Sequence, residues 1–384
     1  MTLIEAERHP LTIYTLLLGR GRHGRSPPSR RQLRERKHGT LWAWRTVSLV
    51  HIRAKMGMRK LWLPAGDVAR TVAMVGILKP LATLLPFSGA LAVARFIGRL
   101  AVVTPGYGRR QVLRMRHAFG RDISPNKLKH LTAERIARPL CDSVVLRRAL
   151  CGRMEFKTWR VEQRTVRCVD ELRSSNESFI VATGHFARQA FLALYGPEVL
   201  PQRTTSLSLP RTARGLHPRT WWLSYHYGQM MDCMRALRPE LEILYAGKFG
   251  TYRRLLEKLG EARNVVVIYA DTPRAQRLAD SYTRPFAGME ARSFATGTAR
   301  LSRMSQRPIA VCIPYLTDER TIVLDWTRVI RPSPVRSKDA DRSVTDTILD
   351  DIEKAIGRRP AQYVIECLGN RRWDARAERW VAEP

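Results

Sequence analysis

A histidine follows an apolar, β-branched run at Ile180-Val181-Ala182-Thr183-Gly184-His185-Phe186. The run reads as a buried strand ending at the glycine, with His185 opening a helix at the strand's carboxyl end. Open α/β sheets bind ligands at such ends. A neutral imidazole there is well matched to taking a proton near pH 7, for example from a hydroxyl attacking a thioester. A capping or structural histidine fits the same position. A second strand, Val266-Val267-Ile268-Tyr269, runs into Ala270-Asp271-Thr272-Pro273. Asp271 can orient an imidazole, hold a polar head group, or act as an N-cap ahead of Pro273. Farther on, Arg284-Pro285-Phe286-Ala287-Gly288 precedes Thr296-Gly297-Thr298-Ala299-Arg300. A Thr-Gly turn opening a helix offers backbone N–H groups to an anion, and an ordinary loop and helix start fits equally.

The elements that must position these residues follow from the pattern of the second half. Short apolar runs alternate with helical periods: Ser178–Thr183 then Phe186–Tyr195, Thr204–Leu209 then Trp221–Leu237, and Leu241–Tyr245 then Tyr252–Leu259. Strands Asn264–Tyr269, Pro308–Pro314 and Thr321–Trp326 follow, with Asp318 and Glu319 in the turn between the last two and an amphipathic helix near Ser343–Ile356. This alternation predicts an α/β fold whose sheet is mixed and largely parallel, with an antiparallel edge and flanking helices.

The first 57 residues differ. Gly-Arg-Gly-Arg-His-Gly-Arg-Ser-Pro-Pro-Ser-Arg-Arg and the basic run through Lys37 cannot bury enough apolar surface to offset ordering entropy. They read as a disordered basic extension, either a tail for an anionic membrane or for nucleic acid, or an upstream extension of the reading frame before Met56 or Met58. The early apolar run, Leu11 to Leu18, is preceded by acids and followed by Arg20, Arg22 and Arg25, the reverse of a secretory signal. Residues 58–150 read as a helical, membrane-associating region. The uncharged run Pro80–Ala94 is interrupted by Pro86 and Gly89. It is too short and broken to span a bilayer, but fits either an interfacial segment or a hairpin packed on the core. Ser124 caps a helix that Pro125 begins. Residues 151–384 form the α/β domain.

Lys plus Arg number 67 against 34 Asp plus Glu, a formal net charge of +33 over 384 residues, which calls for anionic partners without choosing among them. The six cysteines form no C-x-x-C pair, so zinc ribbons and thioredoxin-like motifs are not indicated. No metal-ligand spacing, P-loop or dinucleotide fingerprint is present, and no cofactor is expected. Nucleic acid is not an expected partner, since neither zinc-finger spacing nor an aromatic-basic RNA-recognition sequence occurs.

The blocks, taken in order, resemble the late acyltransferases of lipid A assembly (lauroyl/myristoyl type). Val169-Asp170-Glu171-Leu172 ahead of Gly184-His185-Phe186 is similar to that family's "G-x-E-x-L … H-F-G-N-W-E". Asp271 stands at its Asp-Gln, and Phe286-Ala287-Gly288 at its Phe-Phe-Gly. Thr296 to Leu301 stands at "T-G-x-A-x-L", while Pro360-Ala361-Gln362-Tyr363 and Arg371-Arg372-Trp373 stand at "P-E-Q-W … R-R-W". The resemblance covers about residues 59 to 374. It implies an O-acyltransferase moving a fatty acyl chain from acyl carrier protein, or a related thioester, to a hydroxyl of a lipid A-type or other lipid acceptor. It also implies a peripheral or monotopic location on the cytoplasmic face of the inner membrane.

The family signature H-x4-D/E carries over at His185 as general base. Its acid does not, since Ala190 stands in that place. Asp271 is then the carboxylate expected to orient His185; a relative that binds lipid without turning it over is the alternative. Lys248, Arg253, Arg254, Arg284, Gly297 and Arg300 are the expected substrate-binding residues, the first three also fitting a solvated helix face. Trp221, Trp222, Tyr225 and Tyr227 fit either an acyl groove or core packing.

Overall fold

The structure, a computed structural model, describes residues 79–119, 123–152, 159–186, 203–208, 231–232, 234–272, 281–363 and 371–382. The readings of the basic extension, of residues 58–78, of the helix expected after Phe186, of the aromatic cluster at Trp221–Tyr227 and of Ala190 lie outside the described residues; of the helix expected over Trp221–Leu237 only the end is described, and residues 231–232 and 234–237 are helical.

Among the described residues four helices come first: α1 (Lys79–Leu84), α2 (Phe87–Val103), α3 (Tyr107–Phe119) and α4 (Pro125–Leu150). Ser124 caps α4, its hydroxyl accepting from the Lys127 N–H at 3.4 Å, with Pro125 opening the helix. There follow β1 (Arg160–Arg164), α5 (Arg167–Ser174), β2 (Phe179–Thr183), β3 (Arg203–Ser208), β4 (Glu242–Tyr245) and α6 (Thr251–Gly260). Next are β5 (Asn264–Tyr269), β6 (Ser281–Phe286), β7 (Met289–Ala295), α7 (Gly297–Ser305), β8 (Ile309–Leu316) and β9 (Thr321–Ile330). The chain closes with α8 (Lys338–Arg358), a 3₁₀ turn at Pro360–Gln362, β10 (Arg371–Asp374) and β11 (Arg379–Ala382).

Among the described residues seven strands form one sheet in the order β1-β9-β8-β2-β5-β3-β4. β8, β2, β5, β3 and β4 run parallel, so their carboxyl ends share one edge. β9 is antiparallel to β8, and β1 pairs parallel to β9. The fold is therefore α/β, mixed and mostly parallel. The antiparallel margin is two strands wide, because the exposed, arginine-rich β1, which has no apolar alternation to announce it, lies outside β9. β2 and β8 are buried at every position, as strands covered on both faces must be.

The hairpin β6–β7 stands apart from this sheet. Pro285 argues against a ladder strand in sequence, and the structure reconciles it by keeping the hairpin outside the main sheet, with a register shift between Arg284 and Phe286. Its two-residue turn places Ala287 at φ 44° and Gly288 at φ 89°, the left-handed pair that a tight hairpin demands. Ala287 is held there by its N–H donating to Glu353 Oε1 of α8 at 2.6 Å.

The helices before β1 share the core of the sheet: Met115, Ala118 and Phe119 of α3 and Val145, Leu146 and Ala149 of α4 pack with the strands. α2 uses small residues to approach α4, through Ala90, Leu91 and Ala94 against Ala137, Leu140, Cys141 and Val144. Glu319 in the β8–β9 turn ties the pair down, meeting Arg95 at 2.5 Å and Arg138 at 3.6 Å. A Cβ on Gly98 would lie 2.6 Å from that of Ala137 and 2.7 Å from the Ala133 carbonyl oxygen. Gly98→Ala is thus expected to cost about 1–3 kcal/mol by overpacking, seen as a lower urea midpoint. An unchanged midpoint would contradict this close crossing.

Candidate active site

β2 and β5 are neighbours, and Thr183 pairs with Tyr269. The Ala270 N–H continues the ladder to the Thr183 carbonyl at 2.9 Å. His185 and Asp271 each lie two residues beyond that pair. Equal overhang on adjacent parallel strands brings the two side chains to the same place on the sheet's carboxyl edge, because side chains alternate with period two.

Gly184 makes the turn possible. A Cβ there would stand 3.1 Å from both Ile352 Cγ2 and Phe186 Cε2, and the Phe186 N–H closes back on the Gly184 carbonyl at 2.9 Å. Phe186 itself forms an isolated antiparallel bridge with Tyr363. Its ring meets that of Tyr363 at 5.2 Å between centroids.

Asp271 is wholly buried, whereas the His185 side chain retains 11% exposure. His185 Nδ1 lies 2.5 Å from Asp271 Oδ1. The backbone N–H of His185 donates to Oδ2 at 2.8 Å, and the Tyr363 hydroxyl donates to the same oxygen at 2.8 Å. With Nδ1 carrying the proton toward the carboxylate, Nε2 of the neutral ring is the acceptor. The Tyr269 ring packs on the imidazole at 4.6 Å. Burial pushes the Asp271 carboxyl up. The neighbouring imidazole's charge, the two His185 hydrogen bonds and the Tyr363 hydroxyl outweigh it and hold the group below the usual carboxylate range. The constellation can take a proton at Nε2 and stabilise the imidazolium that forms.

Tyr363 is placed by Gln362, whose amide accepts from the Leu316 N–H at 2.8 Å and donates to the Leu316 carbonyl at 2.7 Å. Tyr363→Phe removes one hydrogen bond to a buried charge and is expected to cost about 1.5–3 kcal/mol at neutral pH. A depressed carboxyl contributes stability that is present above its unfolded pKa and lost as pH falls through its folded one. The gap between wild type and Tyr363→Phe should therefore narrow below about pH 4, measured by urea unfolding at neutral and acid pH. A gap that stays constant with pH would sever Tyr363 from Asp271.

Among the described residues singled out in the sequence, His185 and Asp271 are brought into direct contact at the carboxyl edge of the sheet, and none of the expected substrate-binding residues hydrogen-bonds to either. Arg284 is engaged by three carboxylates of α8: Nη1 meets Asp346 at 2.9 Å, and Nη2 meets Asp350 at 2.8 Å and Glu353 at 2.6 Å. It fastens the hairpin to the helix. On α6, Arg253 pairs with Glu257, and Arg254 with Glu257 and with Glu242 of β4. Lys248 Nζ lies 5.0 Å from the Tyr245 ring centre, and the Arg300 guanidinium 5.7 Å from that of Tyr252. Gly297 opens α7 with open space at its Cβ position.

Two residues were not singled out as site residues. Tyr363 appears in sequence only as a tyrosine where the resembled family has tryptophan, and the hydroxyl is the signal. Arg292 is buried on β7 and rests on the rings of Phe286 and Phe294 at 5.3 and 5.7 Å. Its Nη2 donates to the Asp271 carbonyl at 3.5 Å. No sequence signal marks it.

No protein-family model matches the chain. No curated protein matches it either. Among solved structures, the crystal structure of the 1-acyl-sn-glycerophosphate (LPA) acyltransferase PlsC from Thermotoga maritima is similar at a TM-score of 0.32 and 13% identity, over 70% of this chain and 95% of that one.

Proposed function

We propose that the chain is an O-acyltransferase that moves a fatty acyl group from acyl carrier protein, or a related thioester, to a hydroxyl of a lipid A-type or other glycolipid or lipid acceptor. The observation that carries this reading is the His185–Asp271–Tyr363 constellation at the carboxyl edge of the sheet. It supplies a base with an orienting carboxylate although Ala190 stands at the acid of the family motif. His185 Nε2 takes the acceptor hydroxyl's proton as its oxygen attacks the thioester carbonyl carbon. The tetrahedral intermediate collapses, the carbon–sulfur bond breaks, and the thiolate recovers the proton from the imidazolium, leaving an ester and a free thiol.

The first helices support a peripheral place on the cytoplasmic face of an inner membrane. Phe96, Leu100 and Val103 lie at i, i+4 and i+7 on α2, and they and Leu84 of α1 are exposed. Among the described residues no single helix is long and apolar enough to cross a bilayer; α2 and α3, bent by 89°, pass that test only as a pair. An apolar face beside Arg95 and Arg99 suits the headgroup boundary of an anionic leaflet. The reading is tested by mass spectrometry of lipids from cells with and without the gene, paired with acyl transfer by the purified protein. A mass difference of one acyl chain supports it; identical lipids and no transfer from any thioester overturn it.

A further inference from the structure

β4 and α6 are joined by the loop Ala246-Gly247-Lys248-Phe249-Gly250. Gly247 and Gly250 take φ of 83° and 79°, so each end of the loop turns through the left-handed region. The loop is tied at its base. Ala246 N–H donates to the Ser208 carbonyl at 2.8 Å, and the Thr251 hydroxyl to the Tyr245 carbonyl at 2.8 Å. At the tip Phe249 stands entirely in solvent, with a relative exposure of 110%, a large apolar side chain projecting from a pinned loop. Lys248 lies over Tyr245 beside it. On the following turn Tyr252 donates to the sulfur of Met304, itself 48% exposed, while Arg300 covers the Tyr252 ring. Arg253, with 86% of its side chain exposed, adds a further guanidinium, which Glu257 meets at 3.1 Å from its own helix.

We infer that this tip is a second membrane contact, in which Phe249 enters the acyl boundary of an anionic bilayer while Lys248, Arg253 and Arg300 meet the phosphates. The patch is an aromatic point ringed by cations on a chain of net charge +33, the arrangement of interfacial anchors. A protein partner would need a pocket to receive the ring, whereas a bilayer accepts it anywhere. The position in the sheet gives the contact its use. β4 lies three strands from β2 in the order β2-β5-β3-β4 and runs parallel to it. The tip therefore leaves the same edge as His185, about 14 Å along it at the usual strand spacing. A tip seated in lipid turns that edge, and the His185–Asp271 pair with it, toward the bilayer.

The inference rests on the membrane part of the proposed function, and the test separates the two. The full chain is titrated with phosphatidylglycerol vesicles and with phosphatidylcholine vesicles, alongside Phe249→Glu and, as a lesion of the α2 face, Leu100→Glu. Hydrogen exchange is followed over residues 246–252. Phe249→Glu is expected to weaken binding to the anionic vesicles by at least about 10-fold and to abolish vesicle-induced protection of the loop. Vesicle binding that Leu100→Glu weakens and Phe249→Glu leaves unchanged, with no loop protection, overturns the tip and spares the membrane reading. Absence of binding by the wild type overturns both. Loop protection by an acidic carrier protein, with none by vesicles, also overturns the lipid assignment.

Discussion

His185→Ala is expected to lower kcat/KM for acyl transfer by about 10⁴-fold, the upper end of what a positioned general base contributes. The protein should remain folded, since the lost ring is at the partly open side of the site and Asp271 keeps the Tyr363 hydroxyl and a backbone N–H. Substrate binding should persist, so the loss falls on kcat. Wild-type activity in the alanine variant, with binding intact, would remove the imidazole from the reaction and the proposed chemistry with it.

Asp271→Asn is the second large effect, on the order of 10⁴-fold by analogy with an orienting carboxylate in the serine protease triad. The side chain keeps its shape and still offers one oxygen to Tyr363 or to the His185 N–H. An amide against Nδ1, however, favours the tautomer that leaves Nε2 protonated and useless as a base. Because the two residues act as a unit, His185→Ala and Asp271→Asn should not add, and the double variant should lose about as much as either alone. Steady-state kinetics of the three variants reads this directly. Losses that multiply would mean that Asp271 acts on the substrate independently rather than through the histidine.

The sequence carries the parallel strands well, because strands covered on both faces must be continuous apolar runs; Asn264–Tyr269 falls where the pattern puts it. Polar β1 escapes because nothing in Arg-Val-Glu-Gln-Arg alternates. The β6–β7 hairpin escapes because Pro285 disguises it. In the site, His185 and Asp271 are each legible as strand-end residues, but their partnership depends on the pairing of Thr183 with Tyr269, a tertiary fact. Tyr363 is less legible still, since its role requires the chain to return after α8 and bridge to Phe186. The cations are the opposite case. Arg284 looks like an anion receptor in sequence, and the acids that claim it, Asp346, Asp350 and Glu353, lie on one helix face at i, i+4 and i+7, more than sixty residues away.

Drawing the carboxylate from the adjoining strand makes the alignment of β2 with β5 a kinetic variable. A slip of one residue there would carry Asp271 about 3.3 Å along the sheet and turn its side chain to the opposite side. Val265, Val266 and Val267 hold that alignment. These valines are buried within the strand and carry no reactive group, so under the proposed reaction damage to them would register as slow turnover with substrate binding kept.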